Sequence, residues 1–256
     1  MIELQYIIIC ILGWVLGVIA NEVFVWEIGE ERESFPLSQI LKRLGLRNIL
    51  EPIKRSLLRW RNLIGGQTKQ KRKDRTGIVL ELSVILSILL ICFRYDKMGV
   101  AISVFTFIYL LIIISIIDLY KMIIPNRLNL ILGLVNIIFI VLGWSISWQE
   151  ALYGALLGGG VLLGIRIFSL IFLKQEGMGI GDIKLGFVCG LYLGWQKVLF
   201  GIFSSVYVAG FILMVLLKIK KVKRNQYIPY GPFLSAGFIL SLLFYEDIIQ
   251  SFWWPW

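Results

Sequence analysis

Histidine is absent from this 256-residue chain. Its absence removes Ser-His and Cys-His nucleophile systems and any histidine-ligated zinc. Cysteine is scarce: Cys10, Cys92 and Cys189 lie far apart in apolar runs, and no CxxC pair exists. Neither a thiolate zinc site nor a disulfide framework is indicated, and the three cysteines read as small packing residues. Charge is short as well. Only 16% of residues are Asp, Glu, Lys or Arg, where a soluble domain carries about a quarter. Apolar residues take up the difference, at 58% of the chain. They gather in runs long enough to cross a bilayer, which takes about 20 residues per helix.

Eight membrane segments are predicted, at 5–26, 78–93, 99–118, 128–147, 151–173, 183–196, 198–217 and 233–246. The expected fold class is an all-α polytopic membrane protein of about eight transmembrane helices, with a basic cytoplasmic loop after the first. Residues 1–27 are read as the first helix, 28–77 as a basic amphipathic region and 78–256 as a seven-helix core. The opening residues Met1 to Gln5 carry no positive charge. The apolar run after them exceeds a signal core, so it is read as a helix and not as a cleavable signal.

The net charge of +10 raises the question of nucleic acid, but its distribution answers for a membrane. Of the 26 Lys and Arg residues, 22 fall in 27–77, 119–127, 174–184 and 218–232, three fall in the intervening loops, and Arg166 lies within a segment. Cytoplasmic loops carry such an excess. With an even number of spans, both termini are expected outside, in contact with no nucleic acid. Trp144, Trp148, Trp195, Trp253, Trp254 and Trp256 then fall at the outer interface, the layer that indole rings favour. The stretch 27–77 mixes apolar and basic residues at helical spacing, as in Leu41-Lys42-Arg43-Leu44 and Ile53-Lys54-Arg55. It is read as amphipathic helices on the anionic leaflet. Glycines four apart (Gly154 and Gly158, Gly160 and Gly164, Gly186 and Gly190, Gly190 and Gly194) predict close helix packing in segments five and six.

Acidic residues are rare among the apolar runs, so two stand out. Asp118 closes segment three and Asp182 opens segment six within Gly177-Met178-Gly179-Ile180-Gly181-Asp182. The predicted topology places both at the cytoplasmic ends of their helices. Paired carboxylates share a proton and titrate apart. The ionised one takes a proton from water while the protonated one polarises a carbonyl, which hydrolyses an amide without metal, histidine or nucleophilic side chain. Each carboxylate also has a plain reading, as a helix cap or as a partner of Lys121 or Lys184. Gly179 and Gly181 let the backbone bend and approach a substrate closely.

Three motifs in order, Asp118-Leu119-Tyr120-Lys121-Met122-Ile123-Ile124-Pro125-Asn126, Gly177 to Leu185, and Ile228-Pro229-Tyr230-Gly231-Pro232-Phe233, resemble those of the type IV prepilin peptidases. The resemblance covers about residues 78–245. It implies a bacterial Gly-x-Gly-Asp aspartyl protease of the inner membrane with eight helices, and Asp118 and Asp182 as its catalytic pair. It also implies prepilin or pseudopilin substrates, cut at the cytoplasmic face between a basic leader and a hydrophobic helix. Pro125, Pro229 and Pro232 would fix turns beside the site, with Gly177, Gly179, Gly181 and Gly231 in supporting positions. Lys184 reads either as tuning the charge of the pair or as a snorkelling interface residue. Glu81, in the place of the family's Glu-Leu, reads as structural, as substrate-orienting, or as a carboxylate kept wet at the interface. Arg166 is expected to snorkel or to pair with a carboxylate and is assigned no catalysis.

The N-terminal part departs from the family. Gly13, Gly17 and Asn21 are kept, but the Ser-Phe between them is replaced, and 27–77 lacks the two CxxC pairs associated with zinc and methyl transfer. No metal is expected, and proteolysis of this kind needs no cofactor. S-adenosylmethionine enters only if N-methylation of the trimmed pilin is retained, which these residues leave open. Two alternatives stand beside the peptidase: a transporter or channel with interface carboxylates, and a related Gly-x-Gly-Asp protease acting on other substrates such as remnant signal peptides. The bilayer is the expected partner in either case, and the oligomeric state is left unspecified.

Overall fold

A computed structural model of the protein describes residues 94–95, 97–174, 176–219 and 228–253. The predicted segments at 5–26 and 78–93, the basic region 28–77, Glu81, Cys10, Cys92, and the tryptophans at 254 and 256 lie outside the described residues. The chain divides into two compact units, Met1–Phe105 and Thr106–Trp256. Of the first, only residues 94–95 and 97–105 are described, and the site lies in the second.

Every regular element among the described residues is helical. In order they are α1 (Met98–Lys121), α2 (Asn126–Val141), α3 (Trp148–Phe168, continued by a π-helical turn Ser169–Leu173), α4 (Ile180–Lys218) and α5 (Gly231–Trp253). Four stretches are long and apolar enough to cross a membrane by length and composition: Met98–Lys121, Trp148–Leu173, Ile180–Lys218 and Gly231–Ser251. Their outer faces carry residues that water would not leave exposed, including Phe172, Tyr207 and Phe211, each more than two-thirds accessible. Hydrocarbon is the solvent that suits such surfaces.

α2 is shorter than predicted. The expected segment ran to residue 147, but the 16-residue helix ends at Val141 and rises about 24 Å, short of the roughly 30 Å hydrocarbon core. Its end has a local cause. Gly143 adopts φ +69°, its N–H bonds to Ile140 O and the Trp144 N–H bonds to Phe139 O. Trp144 then stacks on Phe139 with centroids 6.1 Å apart. This is the glycine-terminated Schellman arrangement with its apolar contact. The next helix starts at once, its first turn capped by the Ser147 hydroxyl accepting from Glu150 N–H.

α4 is 39 residues long, about twice a bilayer crossing, and it breaks at Gly194 (φ 77°, ψ 174°). Two helices, 183–196 and 198–217, were expected to meet at residue 197. The break falls at Gly194 because only a residue without Cβ takes this backbone conformation at little cost. Gly158 of α3 consequently meets both Gly186, before the break, and Val198, after it. Gly154 and Gly190 bring the α3 and α4 backbones into direct contact, since a Cβ on either would drive into the other's carbonyl oxygen. Packing of this kind is what small residues permit in apolar surroundings. Gly160 and Gly164, expected to act likewise, face open space.

Replacing Gly190 with leucine should therefore separate the two backbones and destabilise the protein by about 3 kcal/mol. Gly160→Leu, with nothing within 4 Å of its Cβ position, should leave stability unchanged. Thermal midpoints of the two purified variants in one detergent check the contrast.

Candidate active site

The inward face of α1 is a stripe: Phe107, Leu111 and Ile114 are fully buried or nearly so, and Asp118 is the next position on it. The inward face of α4 runs through Asp182, Leu185, Cys189 and Leu193. Each carboxylate thus sits where its helix would otherwise place another aliphatic side chain. They are 5% and 8% exposed.

One aromatic contact sets their common level. Phe107 of α1 stacks on Tyr192 of α4, with ring centroids 4.3 Å apart. From Phe107 to Asp118 α1 rises about 16 Å, and from Tyr192 back to Asp182 α4 spans about 15 Å. Two inward-facing acids are thereby carried the same distance from one pin. They come close enough for their charges to interact.

Backbone donors meet each acid. Gly231 N–H, from the start of α5, donates to Asp118 Oδ2 at 2.9 Å. A Cβ at residue 231 would lie 2.6 Å from that oxygen, so only glycine brings the α5 terminus this near. Gly179 N–H donates to Asp182 Oδ2 at 3.3 Å, so Asp182 does cap the first turn of α4, as the plain reading had it. Capping and burial beside a second acid hold together in this structure.

The corner between α1 and α2 closes over the same place. Met122 takes a left-handed conformation, φ 54°, and Pro125 stands at the N-cap of α2 in extended geometry. Ile124 is buried against Gly181, where a Cβ would lie 3.0 Å from the Ile124 Cβ. Lys184 does not turn to either acid. Its ammonium donates to Asn126 Oδ1 at 2.8 Å, tying the starts of α2 and α4 together. Further along, Asn136 donates to Val188 O at 2.9 Å. Asn126 closes the first motif but was given no role there, and Asn136 was not singled out, although Asn126, Asn129, Gly133 and Asn136 form a visible polar stripe at helical spacing.

Arg166 has a role that the sequence did not disclose. Its guanidinium donates to Met178 O at 2.6 Å and pairs with Glu176 at 3.2 Å. Gly177 presses against Ser169 so closely that a Cβ would strike its hydroxyl. The arginine and this contact together clamp the loop that delivers Asp182. Pairing with a carboxylate was expected, whereas the hold on the loop backbone depends on the tertiary fold.

The third motif arrives with α5. Residues 228–230 approach outside any helix, and Pro232 occupies the first turn, where a missing N–H costs nothing. Tyr230, which stands in the third motif but was given no role there, places its hydroxyl 2.7 Å from Ser205 Oγ. Burial lifts the phenol above its ordinary pKa, and the nearby Asp182 charge adds to this. The phenol is protonated at neutral pH. Asp118, Asp182, Gly179, Gly181, Pro125, Tyr230 and Gly231 thus gather at one place, with Gly177 holding the loop behind and Lys184 outside. Among the described residues, no cluster of acids or cysteine is arranged to hold a metal.

Residues 105–215 match the type IV leader peptidase family. The resemblance carried by the three motifs is borne out. The prepilin leader peptidase/N-methyltransferase of Aeromonas hydrophila is 32% identical over 142 residues, 56% of this chain and 49% of that protein. A protein with the same description from Bacillus subtilis (strain 168) is 29% identical over 160 residues, 61% of this chain and 62% of its own length. Another, from Escherichia coli (strain K12), is 27% identical over 177 residues, 69% and 76% of the two chains. The chain spans about half the length of the Aeromonas relative. No solved structure matches it. The family match and the apolar helices together point to a multi-pass membrane protein, and the comparisons give no support to the transporter alternative.

If Arg166 clamps the loop, Arg166→Gln should expose it. Trypsin should then cut after Lys174 about ten-fold faster or more, the loss expected for one charge-assisted hydrogen bond. Timed digestion with mass analysis of the fragments measures it.

Proposed function

We propose that the protein is an intramembrane aspartyl endopeptidase that removes the basic leader of prepilins or pseudopilins, with Asp118 and Asp182 as its water-activating pair. One observation carries this reading: two buried carboxylates stand at one level, close enough to interact, each met by a backbone N–H. Two such acids avoid the cost of a double charge by holding a single proton between them. The ionised member then draws a proton from water, and the protonated member hands its proton to the scissile carbonyl oxygen. Burial among apolar side chains strengthens both transfers by excluding bulk water. The neighbouring residues Gly179, Gly181, Pro125, Pro229, Gly231 and Pro232 fix the three chain segments that carry or meet the acids.

The substrate class follows from the relatives' names and from the charge pattern. A leader with basic residues, joined to a hydrophobic helix, would lie at the cytoplasmic face of the inner membrane with its cleavage point beside the bilayer. The excess of Lys and Arg in the loops flanking both acids supports that face for the site. Both termini are then outside. Methyl transfer, the second activity in the relatives' names, is not part of the proposal, because the cysteine pairs associated with it in the family have no counterpart here.

Asp118→Asn and Asp182→Asn should each lower cleavage of a co-expressed prepilin by about 10⁴-fold, the scale of losing an essential catalytic group, while the protein still inserts. A gel-shift assay of the prepilin reads the outcome. Normal processing by either variant would remove the pair from the mechanism.

A further inference from the structure

The Ser205–Tyr230 hydroxyl pair is not used by the two-carboxylate chemistry, yet it stands beside it. Ser205 is fully buried in the second half of α4. It is also closely packed: a Cβ on Gly237 of α5 would lie 2.7 Å from the Ser205 Cβ. Its hydroxyl donates to Ile202 O at 2.7 Å and meets the Tyr230 hydroxyl at 2.7 Å.

Hydrogen counting fixes the direction of the second bond. A serine hydroxyl has one hydrogen, and a carbonyl oxygen can only accept. Ile202 O therefore takes the Ser205 hydrogen, and Tyr230 donates its own to Ser205 Oγ. The phenol oxygen is left with lone pairs alone for anything else it faces. It lies within the field of Asp182, and the residue that follows it in sequence, Gly231, holds Asp118. An acceptor thus belongs to the chain segment whose next backbone N–H meets Asp118.

The attacking water needs such an acceptor. It carries two hydrogens, and the ionised carboxylate can take only one. We propose that Tyr230 is a third catalytic group of this site, accepting a hydrogen bond from the second hydrogen of the attacking water, with Ser205 as the positioning residue that keeps the phenol hydrogen turned away. The proposal rests on the peptidase reading and adds to it. In the step, the water oxygen bonds to the carbonyl carbon and one hydrogen passes to the ionised carboxylate. The protonated carboxyl gives its proton to the carbonyl oxygen. The second water hydrogen stays on the new hydroxyl, held by Tyr230, so that its lone pair is aimed at the carbonyl carbon during attack.

The test uses the purified full-length protein, a synthetic or co-purified prepilin, and steady-state cleavage rates. Tyr230→Phe keeps the ring and should lower kcat about five- to ten-fold, the value of one hydrogen bond, with KM within about two-fold of the parent. Ser205→Ala frees the phenol hydrogen to turn into the site and should lower kcat by a similar factor. The double variant should be no slower than Tyr230→Phe alone, because Ser205 acts only through the phenol. A merely structural pair would instead lower thermal midpoints, raise KM or give additive losses, and any of these, or an unchanged kcat in Tyr230→Phe, overturns the proposal. If the parent cleaves prepilin, such a result leaves the peptidase reading intact. A parent that cleaves none overturns both.

Discussion

Two carboxylates buried in an apolar helix bundle are a burden that the surrounding structure must meet. Ionised, each would lose its hydration and repel the other. Gly231 N–H and Gly179 N–H, the leading ends of two helices, are turned toward Asp118 and Asp182. Helix N-termini carry unsatisfied donors and a partial positive charge, so the bundle supplies what water would have supplied. The glycines there are needed for room: Gly231 touches an Asp118 oxygen, and Gly181 admits Ile124.

Holding those helix ends in place is the task of contacts well away from the acids. Phe107 on Tyr192 sets the level of α1 against α4. Gly154 on Gly190, and Gly158 on Gly186 and Val198, lock α3 to both halves of α4. The turn at Gly194 returns the chain so that Ser205 reaches Tyr230. At the other end, Arg166 grips the loop before Asp182 by its backbone. A site made from three chain segments is thus positioned by packing that is itself continuous through the bundle.

Much of this was written plainly in the chain. Runs of apolar residues gave α1 and α3 close to their observed limits, because helix length in a bilayer is set by hydrocarbon thickness and not by distant partners. For α5 they gave a start within two residues but an end seven residues short. Rarity made Asp118 and Asp182 conspicuous, since a carboxylate in an apolar run is costly and needs a reason. The end of α2 was misplaced because Leu142, Gly143 and Trp144 are as apolar as a span, and a hydrophobic pattern cannot see a left-handed glycine that stops the helix. The same blindness put the turn of α4 at residue 197 and not at Gly194.

Composition, spacing and order of motifs were enough to establish a helical membrane protein with two candidate acids and a family resemblance. These are properties of local sequence: hydropathy, charge and residue type survive without knowledge of the fold. Tertiary structure alone decided that Lys184 turns to Asn126, that Arg166 holds a loop backbone, and that a tyrosine beside a glycine-proline turn has its hydroxyl committed to Ser205. Each of those is a direction in space between residues remote in the chain, and no one-dimensional pattern encodes where a side chain points.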